Sequence, residues 1–184
     1  MTVPPLPWFW AETSPGISGV THGSSAMASR QLWIRAVDVD CSPDLVFAWA
    51  TQLRRAPYSY DLIDNFGRRS PQTIDPRVID LQVGDPVMGV FKVSAVDPGR
   101  SFAVVLRSER AAHLFGGLTI EYAVEPVGRG SRLLARLSVP LPAGLLPGLR
   151  QAAFAWGDLV MMRKQLRELR RLAERDHRIL DSAD

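Results

Sequence analysis

From residue 78 onward the apolar side chains recur at every second position, and this periodicity sets the tightest limit on what the chain can fold into. "PVMGVFKVSAVD" places Val87, Gly89, Phe91, Val93 and Ala95 on one side and Lys92 and Ser94 on the other, and "DPGR" turns it into "SFAVVLRS". "LTIEYAVEP" sets Leu118, Ile120, Tyr122 and Val124 against Thr119, Glu121 and Glu125. "GRGS" then turns it into "RLLARLSVP", where Leu133, Ala135, Leu137 and Val139 oppose Arg132, Arg136 and Ser138. Each run has one greasy face and one polar face. Two hairpins of this kind make a curved antiparallel sheet with water on one side and a core on the other.

A sheet of that kind needs a cover. After the breaker-rich "LPAGLLPG" the period changes to that of a helix in "LRQAAFAWGDLVMMRKQLRELRRLAERD". Its stripe of Leu149, Ala153, Trp156, Val160, Leu166, Leu169 and Ala173 is expected to lie on the sheet's apolar face. Gly157 within it costs on the order of 1 kcal/mol relative to alanine, which points to a place where bulk is unwelcome. Upstream, "QLWIRAVDVD" alternates with Trp33, Arg35, Val37 and Val39 on one side, with Val37 and Val39 the expected buried pair. "SPDLVFAWATQL" follows with Ser42 as N-cap and Pro43 at the first helical position.

The stretch "APYSYDLIDNFGRRSP" is ambiguous. Pro57 just inside and Gly67 just past the end frame a short helix with Tyr58, Leu62 and Phe66 on one face, whereas alternation of Tyr58, Tyr60 and Leu62 also permits a strand. "GRRSPQTIDP" then reads as a loop.

Composition narrows the class further. A chain of 184 residues, 46% hydrophobic and 22% charged, can bury about 70% of its unfolded surface as one domain. It holds no run of roughly 18 apolar residues, so no integral membrane segment is expected. Cys41 is the only cysteine and cannot form an internal disulfide, which suits a reducing, cytoplasmic setting. The net charge of +3 rests almost entirely on arginine, with Lys92 and Lys164 the only lysines, and the charge is not clustered around a nucleic-acid reading module. No nucleic-acid partner is expected.

Residues 1–30 are rich in Pro, Gly, Ser and Thr without apolar periodicity, and are expected to be disordered or loosely draped. "PLPWFW" is too short and uncharged for a secretory signal. Met27, directly before the first patterned run, is a candidate start of translation.

The order of strand, two short helices, antiparallel strands and one long terminal helix is an α+β plan in which sheet and helix enclose a space. Residues 31–176 resemble the START/Bet v 1-like superfamily, also called SRPBCC or polyketide cyclase-like, and its helix-grip fold. The resemblance is carried by "VDVDCSPDLVFAW", "YSYDLIDN", "LQVGDPV" and "WGDLVMMRKQLRELRRLAE". It implies a deep, mainly apolar pocket between sheet and helix that holds a hydrophobic small molecule such as a lipid or polyketide. Some members of the superfamily are cyclases or aromatases. Residues 177–184 are then a tail.

Other chemistries lack their residues. No G-x-S-x-G stands on a strand-to-helix turn, and His22, His113 and His177 form no base-and-nucleophile pattern. No metal site or cofactor is expected, because one cysteine and scattered histidines lack ligand spacing. "GRGSRL" lies between strands instead of opening a helix and reads as a hairpin turn. Arg107 and Arg163 could reach a ligand carboxylate, although alternation turns Arg107 toward solvent.

The expected ligand-binding set is Tyr58, Tyr60, Asp64, Phe91, Leu106, Tyr122 and Trp156, with Val93 and Leu137 beside them. On a helix Tyr60 and Asp64 share a face, as do Asp61 and Asn65. Two readings of that segment stay open. In one, Tyr58 packs and the aspartates pair with neighbours such as Arg54, Arg55, Arg68 and Arg69. In the other, a tyrosine hydroxyl points into an apolar pocket and fixes a ligand's polar group. The function expected is a binding module. The alternatives are a cyclase or aromatase with Tyr60 and Asp64 as its pair, and a protein-interaction domain whose core is filled by its own side chains.

Overall fold

In the computed structural model, which describes residues 6–12, 30–59, 69–110, 112, 117–141 and 145–182, the alternating runs pair as antiparallel neighbours. The strands are β1 (Phe9–Ala11), β2 (Arg30–Val39), β3 (Pro86–Val87), β4 (Phe91–Asp97), β5 (Ser101–Leu106), β6 (Thr119–Val127) and β7 (Gly130–Pro140). They form one seven-stranded sheet in the order β1-β2-β7-β6-β5-β4-β3. Helix α1 (Pro43–Thr51) follows β2 directly, and helix α2 (Leu145–Asp181) runs 37 residues after β7. This is the α+β, helix-grip arrangement expected from the sequence.

Local chemistry accounts for the joints. Gly128, at φ +59, opens the two-residue turn from β6 into β7, and Gly99, at φ +76, completes the turn from β4 into β5. Ser42 occupies the N-cap of α1 with extended dihedrals, but its hydroxyl makes no capping bond; its carbonyl accepts from the Val46 amide at 3.2 Å. A bulge in β4 puts Val93 opposite Val104 and Ala95 opposite Ala103, so Ser94 is the extra residue. The alternation therefore flips. Ala95, expected to face inward, is exposed, and Val96 packs against the core in its place.

Two expectations need larger corrections. Residues 6–12 are structured: β1 pairs parallel to β2 with Phe9 opposite Ile34 and Ala11 opposite Ala36. Aromatic residues hold it there, since the Trp8 ring lies 5.3 Å from Trp33, and the Trp10 ring lies under Arg163 and Arg167 at 5.3 and 5.4 Å. Glu12 extends the clasp by accepting from Arg167 at 2.6 Å and Arg170 at 2.8 Å.

The second correction concerns the face of α2. The residues it buries are Ala155, Leu159, Met162, Leu166, Leu169, Leu172 and Ala173, while Leu149, Trp156 and Val160 are exposed. Only the C-terminal part of the expected stripe, Leu166, Leu169 and Ala173, points inward. The sheet engages a stripe displaced by about one position along the N-terminal half, and at 100° per residue this swings Trp156 out of the core.

Gly157 shares that outer side. A Cβ built on it would meet nothing within 4 Å, so neither a cavity nor a close helix-sheet contact explains the glycine. Gly157→Ala is expected to stabilise the fold by about 0.5–1 kcal/mol through helix propensity and unfolded-state entropy. Urea denaturation measures this, and a destabilised variant would show that the outer side is covered.

Candidate functional site

The registers sort the inward side chains into rows across the sheet. One row runs Phe91, Leu106 and on to Val139; the next holds Val93, Val104, Ile120, Leu137 and Trp33; a third holds Phe102, Tyr122, Ala135 and Arg35. Burial changes along these rows. Val93 and Val104 are 1% and 0% exposed, while their inner-face neighbours Phe91 and Leu106, one row nearer the end of the sheet, are only half-buried. On the helix Met162 is buried but the adjacent Met161 is 39% exposed.

The helix therefore lies against the sheet as the second arm of a wedge. Its C-terminal part is tied down: Trp49 Nε1 donates to Asp176 at 3.1 Å, and the Asp40 amide donates to Glu174 at 3.2 Å. Near its start Gln151 donates to the Pro140 carbonyl at 3.0 Å, which places the beginning of α2 over the end of the sheet that carries Phe91 and Leu106. The half-burial of Phe91 and Leu106 marks this as the less covered end of the wedge.

The third row carries the polar chemistry. The Tyr122 hydroxyl donates to Gln165 Oε1 at 2.8 Å, and Gln165 Nε2 donates to the Pro57 carbonyl at 2.6 Å. The sulfurs of Met88 and Met162 lie 3.9 and 3.8 Å from the same hydroxyl, and the Phe102 ring stacks on Tyr122 at 5.2 Å. At this level side chains bridge from sheet to helix. Burial, and then the Asp158 charge, push the Tyr122 phenol well above its ordinary range, so it acts only as a neutral donor.

Two strands away Arg35 is fully buried and donates through Nη2 to Asp158 at 3.0 Å, and through Nη1 to the Trp8 and Ile34 carbonyls at 3.0 and 3.1 Å. Burial pulls the guanidinium below its ordinary value, with Asp158 opposing. Burial likewise pushes the Asp158 carboxyl up to about 6, although Arg35 pulls the other way. Desolvation outweighs pairing at this carboxyl.

The residues expected from the sequence fall in four places. Tyr122 stands at the centre, and Phe91 and Leu106 line the open end. Tyr58 is buried in the core, its backbone at φ +54 and its ring edge-on to Trp49 at 6.2 Å. Trp156, expected to roof the cavity, is 51% exposed on the outer side of α2 and does not join the others. Tyr60, Asp61, Asp64 and Asn65 lie outside the described residues, as does most of the short helix expected there. Sequence reading did not select Arg35, Asp158, Gln165, Met88 and Met162. Arg35 had a usable signal, since an arginine in register with Trp33 and Val37 on a strand's inner face requires a buried acceptor.

Among the described residues no group of three or more His, Cys, Asp or Glu could hold a metal ion, and no helix is long and apolar enough to cross a membrane. Burial raises the Cys41 thiol to about 11, which leaves it an unreactive core residue.

A curved sheet gripping a long C-terminal helix is a helix-grip fold, and the chain is similar in fold to solved structures. A protein of unknown function from Staphylococcus aureus, SA2116, has 11% identity over 82% of this chain and 99% of its own, with a TM-score of 0.50. Ara h 8.0201 has 10% identity over 78% of this chain and 97% of its own, with a TM-score of 0.49. The di-domain ARO/CYC StfQ from the steffimycin biosynthetic pathway has 14% identity over 81% of this chain and 52% of its own, with a TM-score of 0.46. No protein-family model and no curated protein matches the sequence. The likeness is one of fold.

Asp158 makes a prediction about pH. An unfolded aspartate titrates near ~4, so a folded value of about 6 means that the folded chain holds the proton more tightly. The stability this carboxyl contributes is fully present below about pH 4 and is lost as the pH rises through about 6. Relative to Asp158→Asn, the wild type is expected to lose on the order of 2 kcal/mol between pH 4 and pH 7. Urea denaturation across that range reads the difference, and a flat line would mean that the carboxyl titrates normally.

Proposed function

We propose that residues 31–176 form a binding module that holds a hydrophobic small molecule, lipid- or polyketide-like, in the open part of the wedge, and that it works in the cytoplasm. The observation that carries this reading is the loss of burial along the inner face, from Val93 and Val104 to Phe91 and Leu106. Apolar inward side chains left half-covered are a surface that an apolar ligand can complete. Met88 and Met162 suit the task because unbranched thioethers adapt to irregular shapes. Tyr122 and Gln165 supply the polar end of the site. Tyr58, Tyr60 and Asp64 keep the ligand-binding role proposed from the sequence.

An enzyme of the cyclase type is the second reading, and one observation favours it: a buried carboxyl, Asp158, whose pKa of about 6 is near what a general base needs. Such an enzyme would also use Tyr60 and Asp64, and turnover unaffected by Tyr60→Phe and Asp64→Asn would remove that pair as catalysts.

The binding reading is tested with N-phenyl-1-naphthylamine, a neutral apolar probe that fluoresces when it leaves water. The wild type is expected to bind it with a Kd on the order of 1–10 μM. Leu106→Glu, which puts a charge at a half-buried position, should weaken binding at least ~10-fold, because a desolvated carboxylate costs more than 1.4 kcal/mol. A silent probe with the wild type, or unchanged affinity in the variant, would reject the wedge as the site.

A further inference from the structure

The outer side of α2 carries an apolar stripe that the chain itself leaves uncovered. Leu146, Leu149, Ala153, Trp156 and Val160 follow one another at alternating helical spacings, so they lie along one face, opposite Ala155, Leu159 and Met162. All five are exposed, Leu146 at 74% and Leu149 at 60%. A surface helix is ordinarily apolar on one face, and the first half of α2 is apolar on two. Large apolar side chains gathered in this way mark a surface that meets something.

Charge and shape decide what it meets. Among the described residues the stripe is flanked by cations alone, Arg150, Arg163 and Lys164, but two of them are engaged: Arg163 stands over the Trp10 ring at 5.3 Å, and Lys164 pairs with Glu168 at 4.0 Å. An anionic lipid surface is held by several free cations together, each worth about 1 kcal/mol, and one arginine is too few. The stripe is instead complementary to itself. Ala153 is the midpoint between Leu146 and Val160, so a copy turned end for end about Ala153 brings Leu146 opposite Val160, Leu149 beside Trp156 and Arg150 beside Gly157.

Gly157 then has a use. A Cβ there meets nothing within the chain, so its cost of about 1 kcal/mol relative to alanine is unexplained inside one copy. The bare backbone at Gly157 leaves room for the Arg150 stem of the other copy, and Ala153 at the centre lets the two helix axes approach to about 8 Å.

We propose that α2 forms the interface of a two-fold symmetric homodimer, in which the stripe from Leu146 to Val160 packs antiparallel on its copy with Ala153 at the axis. The five side chains expose roughly 500 Å² per copy, hence about 1,000 Å² in all, the lower limit for a specific interface, so the dimer is weak and concentration-dependent. This interface is independent of what the wedge holds.

Sedimentation equilibrium from about 1 to about 500 μM should take the wild type from monomer to dimer with a Kd on the order of 10 μM. Ala153→Glu, which sets two carboxylates face to face at the axis, should stay monomeric throughout, while its urea midpoint at the lowest concentration matches that of the wild type. Cross-linking fixes the register without relying on that variant. Oxidised Ala153→Cys should form a disulfide dimer, because the two thiols meet at the axis, whereas Lys164→Cys, about 16 Å along the helix from it, should not. Cys41 is buried and does not compete. A wild type that stays monomeric to the top of the range, an Ala153→Glu variant that still dimerises, or equal cross-linking at both positions would overturn the proposal. A monomeric wild type that binds phosphatidylglycerol vesicles, with binding lost in Ala153→Glu, would also overturn it and give the stripe to a lipid surface.

Discussion

A sheet that carries its apolar side chains on one face has to bury that face, and here one helix does most of the work. Leu159, Met162, Leu166, Leu169 and Leu172 supply the covering surface, each worth roughly 1.5–3 kcal/mol when taken fully out of water. The helix is fastened at its C-terminal part by Trp49 to Asp176 and by the Asp40 amide to Glu174, where α1 also packs against it. Toward its N-terminus fewer elements share the load. Its N-terminal half meets the sheet on the β2–β7 side, through Gln151, Phe154 and Asp158, while Phe91 and Leu106 stand on β4 and β5 and are half-buried.

The interior departs from a plain hydrophobic core in one row. Arg35, Asp158, Tyr122 and Gln165 put charge and hydrogen-bonding capacity into a region whose other rows are almost wholly aliphatic. A buried ion pair recovers its desolvation cost only when its remaining donors and acceptors are also met. Arg35 meets most of its own through Trp8, Ile34 and Asp158 and leaves one donor open. An apolar replacement would serve stability as well, so this row is where the fold carries chemistry beyond what cohesion requires.

The hairpins and their turns were legible because alternation, glycine and register are local properties. The β6–β7 pair keeps the expected inward set together, with Ile120 opposite Leu137, Tyr122 opposite Ala135 and Val124 opposite Leu133. The bulge at Ser94 was not legible, since one extra residue in a strand changes no composition and only the partner reveals it. The face of α2 failed for a related reason. Leu149, Trp156 and Val160 form an apolar stripe as regular as Leu159, Met162 and Leu166, and periodicity alone cannot say which of two stripes the sheet selects. Of the expected residues, Tyr122, Phe91 and Leu106 came from inward register and do face inward, Tyr122 buried and the other two half-buried. Arg35 and Asp158 were missed because they are 123 residues apart and meet only across the core.

The N-terminal clasp then explains where the opening can begin. Trp10 is held between Arg163 and Arg167, and Glu12 joins Arg167 to Arg170, so β1 fixes the middle of α2 to the β2 edge of the sheet. Its Trp8 carbonyl also accepts from the Ile34 amide and from Arg35, which ties the same fastening to the buried ion pair. From Arg163 onward the helix is therefore held on two sides, by the clasp and by α1, and cannot part from the sheet. Before Arg163 it is held by Gln151, by the aromatic contact of Phe154 with Trp33 and by the Arg35–Asp158 ion pair. The segment least patterned in sequence thus adds a second fastening of α2, five residues beyond the ion pair that Asp158 makes with Arg35.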